Sequence, residues 1–104
     1  MSFRIHFQDV PHSDAIRDEC EQLASGLREE FPETSKCEVT VTHTGDDKEM
    51  HLHVTGKDID IAARAQARDM HETMTEAFDR VRKQLRKHHD KQIFSRRRGK
   101  KSRD

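Results

Sequence analysis

Apolar residues recur along this chain at two spacings, and the switches between them predict six elements. Phe3, Ile5 and Phe7 alternate with Arg4 and His6, the pattern of a half-buried strand. Ser13 then opens a helix as its N-cap, and Ile16, Cys20, Leu23, Leu27 and Phe31 form one stripe at steps of 4, 3, 4 and 4. Pro32 ends this helix, because the residue before a proline is pushed out of the helical region. Cys37, Val39 and Val41 alternate with Glu38, Thr40 and Thr42; after a "TGDD" turn, Met50, Leu52 and Val54 alternate with His51, His53 and Thr55. A "GKD" turn leads to Ile59, Ile61, Ala63, Ala65 and Ala67, which alternate with Asp60, Ala62, Arg64 and Gln66. The small alanines there predict a helix packed close above. Asp69 and Glu72 resemble a capping box, and Met70, Met74, Ala77, Phe78, Val81 and Leu85 carry a last helical stripe that fades near Asp90.

The predicted order is β-α-β-β-β-α. Four alternating strands make a four-stranded sheet with one apolar and one wet face, and two amphipathic helices cover the apolar face. The fold class is therefore α+β, a two-layer sandwich. At 104 residues the chain is read as one domain, residues 1–91, followed by a basic, disordered tail, residues 92–104.

Charge changes the picture. The formal net charge is +0, yet residues 80–104 hold twelve Lys and Arg against two acids, and residues 1–79 hold eight against eighteen. Such asymmetry points to a nucleic-acid or acidic-membrane partner. With no apolar run of membrane-spanning length and no apolar leader in "MSFRIHF", the chain is expected in the cytoplasm, without a membrane partner. Placed on a wheel with Val81 toward the core, Arg80, Arg82, Lys83, Arg86 and Lys87 lie roughly 100° or more from the core direction. They predict a positive, phosphate-binding surface that Lys91 extends and His88 and His89 assist. The tail residues Arg96, Arg97, Arg98, Lys100 and Lys101 read as a nucleic-acid arm, a localisation signal or a solubilising end. The acids of the first helix, Asp14, Asp18, Glu19, Glu21, Glu29 and Glu30, are expected to form a solvated face that limits indiscriminate RNA binding.

Other chemistry finds little support. Eight histidines include His51 and His53 on one strand, with His6 on the same wet face, but no zinc-binding spacing accompanies them. Cys20 and Cys37 fall at apolar positions and are expected to be buried, reduced thiols. No phosphate loop, nucleophile motif or framed carboxylate pair is present, so neither an enzyme, a cofactor, a metal nor a small-molecule substrate is expected. No aromatic stands on the wet face to stack bases.

"DMHETMTEAFDRVRKQLRKHHDK", residues 69–91, resembles the last helix of the short ribosome hibernation promoting factors and ribosome-associated translation inhibitors. Asp69, Met70, Gln84, Leu85, Lys87, His88, Asp90 and Lys91 carry the likeness, with "AIR" at 15–17 and "ARAQARDM" at 63–70. The resemblance implies a protein that binds the small ribosomal subunit and its RNA near the decoding centre, blocking mRNA and tRNA access under stress or in stationary phase. It also implies rRNA contacts from both helices, through Arg17 and Arg28 on the first and Arg80, Arg82, Lys83, Arg86, Lys87, His88 and Lys91 on the second. The chain departs from that pattern in its acidic first helix and in His71 where a Tyr is usual, and it is expected to lack the second domain by which long relatives pair ribosomes. It is expected to be monomeric off the ribosome. Two rival readings are a protein-interaction module, using the acidic helix or the open sheet face to dock a stress-regulatory partner, and a metal-dependent enzyme built on His6, His51 and His53.

Overall fold

The computed structural model describes the chain from Ser2 to Lys101, with side chains up to Asp90. Its elements are β1 (Ser2–Phe7), α1 (Asp14–Glu30), β2 (Thr34–Thr44), β3 (Asp47–Gly56), β4 (Ile59–Ala67) and α2 (Met70–Lys101). This is the α+β order expected from the spacing of apolar positions. Both helix starts follow local chemistry: Ser13 Oγ accepts from the Ile16 N–H at 3.2 Å, and Asp69 Oδ2 accepts from the Glu72 N–H at 2.9 Å. Phe31, just before Pro32, caps α1 with its N–H on the Leu27 carbonyl at 2.7 Å.

The sheet order is β1-β2-β3-β4. β1 runs parallel to β2, and α1 makes the crossover that a parallel pair requires. β2, β3 and β4 are antiparallel neighbours joined by two-residue turns, since Thr44 pairs with Asp47 and Gly56 with Ile59. Gly45 and Asp58 take φ of 61° and 60° in these turns. Gly56 is needed for another reason: a Cβ there would lie 2.2 Å from the Glu33 carbonyl oxygen.

α1 lies over β1 and β2, and α2 over β3 and β4. Between helices and sheet, Cys37, Val39 and Val41 of β2 and Met50, Leu52 and Val54 of β3 are buried against Cys20, Leu27, Met74, Val81 and Leu85. Each large side chain removed from water here contributes about 1.5–3 kcal/mol. Ala65 is 2% exposed, which fits the close approach of α2 to β4.

One expectation about the core is corrected. Leu23 is 39% exposed, and its neighbour Ala24 is fully buried. The buried stripe of α1 runs through Cys20, Ala24, Leu27 and Phe31, because a small residue at 24 lets the helix sit low on the sheet. Leu23 then falls on the flank that faces α2.

α2 continues past Asp90, where its apolar stripe fades, and is helical to Lys101. Residues 91–101 contain no Pro, and the single Gly99 costs only about 1 kcal/mol in a helix. Of the expected tail, 92–104, residues 102–104 and all side chains lie outside the described part.

Candidate nucleic-acid interface

α2 carries its cations on three flanks rather than one. Arg82 and Arg86 point toward α1, where both meet Glu30: Arg82 Nε donates to Oε1 at 2.9 Å and Arg86 Nη2 to Oε2 at 2.9 Å. The Arg82 Nη2 also reaches Glu30 Oε2, at 3.5 Å. Arg80 turns to the opposite flank, donating to the Arg64 carbonyl of β4 at 2.7 Å and to Glu76 at 3.2 Å. Lys83 and Lys87 stand between these flanks. Lys83 meets Asp79 at 3.1 Å, one helical turn back. Lys87 is exposed and makes no ion pair among the described residues.

The wheel explains this division. Steps of four, as from Arg82 to Arg86 and from Lys83 to Lys87, return to nearly the same direction, whereas neighbours diverge by about 100°. The guanidiniums of Arg82 and Arg86 hold the Glu30 carboxyl below its ordinary 4.5, Arg86 contributing most. Its side chain is 33% exposed, so the pair is open to solvent and to competing anions.

Arg17 and Arg28 do not join this surface. Arg17 lies next to Asp18, 3.5 Å away. Glu19 meets His71, and Glu30 meets Arg82 and Arg86, so Glu19 and Glu30 mark the flank of α1 that faces α2. Two residues apart on a helix means about 200° of rotation. Arg17 and Arg28 are each two residues from one of these acids, and so point away from α2. The cations of the two helices therefore lie on separate flanks.

His88 stands apart from these cations. Seven residues beyond Val81, it returns to within about 20° of the core direction. Its Nε2 is buried without a hydrogen-bond partner and does not face solvent phosphate. His89 instead turns to the segment between α1 and β2, with Nδ1 3.4 Å from Glu33 and its ring edge-on to Phe31. The side chains of Lys91, Arg96, Arg97, Arg98, Lys100 and Lys101 lie outside the described part, on the continuation of α2.

Sequence reasoning missed the individual role of Glu30. It was one of six scattered acids, and only the crossing of two helices selects it. A weak signal existed: an acid in the last turn of a helix opposes the helix dipole.

The other face of the sheet is open. Strand register aligns Arg4, Glu38, His53 and Ala62 in one row, and His6, Thr40, His51 and Arg64 in the next. Small Thr40 and Ala62 leave a shallow groove of about 560 Å³. Three of its basic side chains have acidic neighbours: His51 Nε2 lies 2.7 Å from Glu49, His53 Nε2 lies 2.6 Å from Asp60, and Arg64 reaches Glu49 at 3.9 Å. His6 and His51 flank Thr40 from opposite sides, two strand spacings or about 9–10 Å apart. Among the described residues no three His, Cys, Asp or Glu gather closely enough to hold a metal. Among them, too, no helix is long and apolar enough to cross a membrane.

The fold is similar to that of a ribosomal subunit interface protein from Coxiella burnetii, with a TM-score of 0.81 at 22% identity, over 86% of this chain and 99% of that one. It is also similar to the N-terminal domain of Protein Y from Thermus thermophilus, with a TM-score of 0.75 at 18% identity, over 84% of this chain and 98% of that one. No curated protein matches the sequence. The family model described as Sigma 54 modulation protein / S30EA ribosomal protein matches residues 3–93, nearly the whole folded chain, and the protein belongs to that family.

Proposed function

We propose that this protein is a ribosome hibernation factor that binds RNA of the small ribosomal subunit near the decoding centre and blocks mRNA and tRNA access under stress or in stationary phase. It acts in the cytoplasm by occupying space, without chemistry of its own. The observation that carries the reading is the cationic surface of α2, Arg82, Lys83, Arg86 and Lys87, on a chain of the S30EA ribosomal protein family. Lys87 and Lys83 offer exposed ammonium groups, and Arg82 and Arg86 offer planar forks suited to phosphate. Phosphate contacts position the protein, and the shape of folded RNA supplies selectivity. Arg80 on one flank and the basic continuation of α2, from Lys91 to Lys101, extend the contact.

The test is co-sedimentation with purified small subunits at rising salt, beside a variant with Arg82, Lys83, Arg86 and Lys87 changed to Gln. Salt-sensitive comigration that the variant loses supports the reading. Binding that survives loss of the cluster moves the contact elsewhere, with the open sheet face as the next surface to mutate. No comigration at low salt overturns the proposal.

A further inference from the structure

The two arginines best placed to grip phosphate are already gripping a carboxylate. Arg82 uses its Nε and Nη2, the edge with which a guanidinium takes an oxyanion side-on, and both nitrogens face Glu30 at 2.9 and 3.5 Å. Arg86 brings Nη2 to the second oxygen of the same carboxylate at 2.9 Å. Carboxylate and phosphate compete for one set of N–H donors, so bidentate phosphate binding at Arg82 and contact with Glu30 exclude each other. Glu30 also sits in the last turn of α1, where the helix dipole disfavours an anion, so the two cations are what make the position favourable. With two guanidiniums against one carboxylate, the cluster keeps a residual positive charge.

We propose that Glu30 is a built-in competitor for RNA phosphate that keeps Arg82 and Arg86 closed to isolated phosphates. This deepens the RNA-binding reading above and rests on it. Lys87 and Lys83 make the first, weak contacts. A flexible RNA that offers one phosphate at a time does not displace Glu30. A folded RNA that holds two phosphates against Arg82 and Arg86 together does, and only that RNA gains the two strong contacts. Selectivity thus comes from the cost of opening the clamp, an unfavourable term set against the wrong partner.

The test measures binding of a labelled uridine oligonucleotide, and separately of small subunits, to the full chain, to E30Q and E30A, and to the same variants carrying R82Q and R86Q. Melting curves confirm that each variant is folded. E30Q and E30A should bind the oligonucleotide roughly three- to tenfold tighter than the parent. The slope of log affinity against log salt should steepen by up to about 1.4, two phosphates at roughly 0.7 each for a single strand. Small-subunit affinity should rise less, so the selectivity ratio falls. The gain should vanish once Arg82 and Arg86 are removed. Unchanged or weaker oligonucleotide binding by both Glu30 variants overturns the proposal, and so does a gain that persists without the two arginines, which would be a plain net-charge effect. If the parent fails to bind small subunits, the ribosome reading fails, and the oligonucleotide arm still decides the role of Glu30.

Discussion

Arg86 and Glu30 stand fifty-six residues apart in sequence and 2.9 Å apart in space. With Arg82 this contact ties the end of α1 to the middle of α2, across a helix pair that otherwise touches little. It has a defined pH dependence. The Glu30 carboxyl is held below 4.5 by Arg86 and then Arg82. A carboxylate whose folded pKa is depressed contributes above its unfolded pKa, and that contribution is lost as pH falls through the folded pKa. The tie should therefore be intact at neutral pH and lost only in acid below about pH 4.5. Carboxyl NMR titration should place Glu30 below its ordinary value in the parent and return it toward 4.5 in R82Q/R86Q. A parent and a variant with the same Glu30 titration would contradict the pairing.

Two glycines should respond oppositely to alanine. Gly56→Ala drives a Cβ into the Glu33 carbonyl oxygen at 2.2 Å, and the Glu33–Thr34 backbone it meets has no side-chain freedom with which to yield. It should cost about 2 kcal/mol or more in urea unfolding. Gly26 lies inside α1, and a Cβ there meets nothing within 4 Å. Gly26→Ala should stabilise by roughly 0.5–1 kcal/mol, through helix propensity alone.

Both cysteines should be silent in the native state. Cys20 and Cys37 are 0% and 1% exposed, and burial above all pushes each thiol up to about 12. The nucleophile is the thiolate, which is scarce at neutral pH under those conditions. A colorimetric thiol assay at pH 8 should register two thiols in denaturant and almost none in native buffer. Rapid native labelling would mean that α1 opens readily from the sheet.

The separate flanks predict separate effects on RNA binding. K83Q/K87Q should weaken small-subunit binding and flatten its salt dependence by up to about 1.8, roughly 0.9 for each duplex phosphate lost. R17Q/R28Q, on the side of α1 turned from α2, should change both less. Equal effects would mean that RNA wraps both flanks of the helix pair.

Met74 tests the core. It is fully buried, and its sulfur lies 3.6 Å from Cys20 Sγ, at the junction of the two helices. Met74→Ala should destabilise by about 2–5 kcal/mol, through lost transfer energy and the cavity left behind. Thermal or urea unfolding measures it, and a cost near zero would mean that the helices collapse into the gap.

Much of this molecule follows from local rules. Alternation at Cys37–Thr42 and Met50–Thr55 marks strands, because side chains of an extended chain point alternately to two faces. Ser13 and Asp69 mark helix starts, because free N–H groups there need an acceptor. The cationic character of α2 is likewise visible in composition alone. Tertiary packing decided the rest. Whether Leu23 or Ala24 turned inward depended on how low α1 sits on the sheet, which no spacing within α1 encodes. Which of six acids would meet Arg82 and Arg86, and that Arg17 and Arg28 would face away from them, depended on how the two helices lie side by side on one sheet. Periodicity gives each helix its own inward direction, but the partner of an outward side chain is set by the neighbouring element, and that relation exists only once both helices have docked.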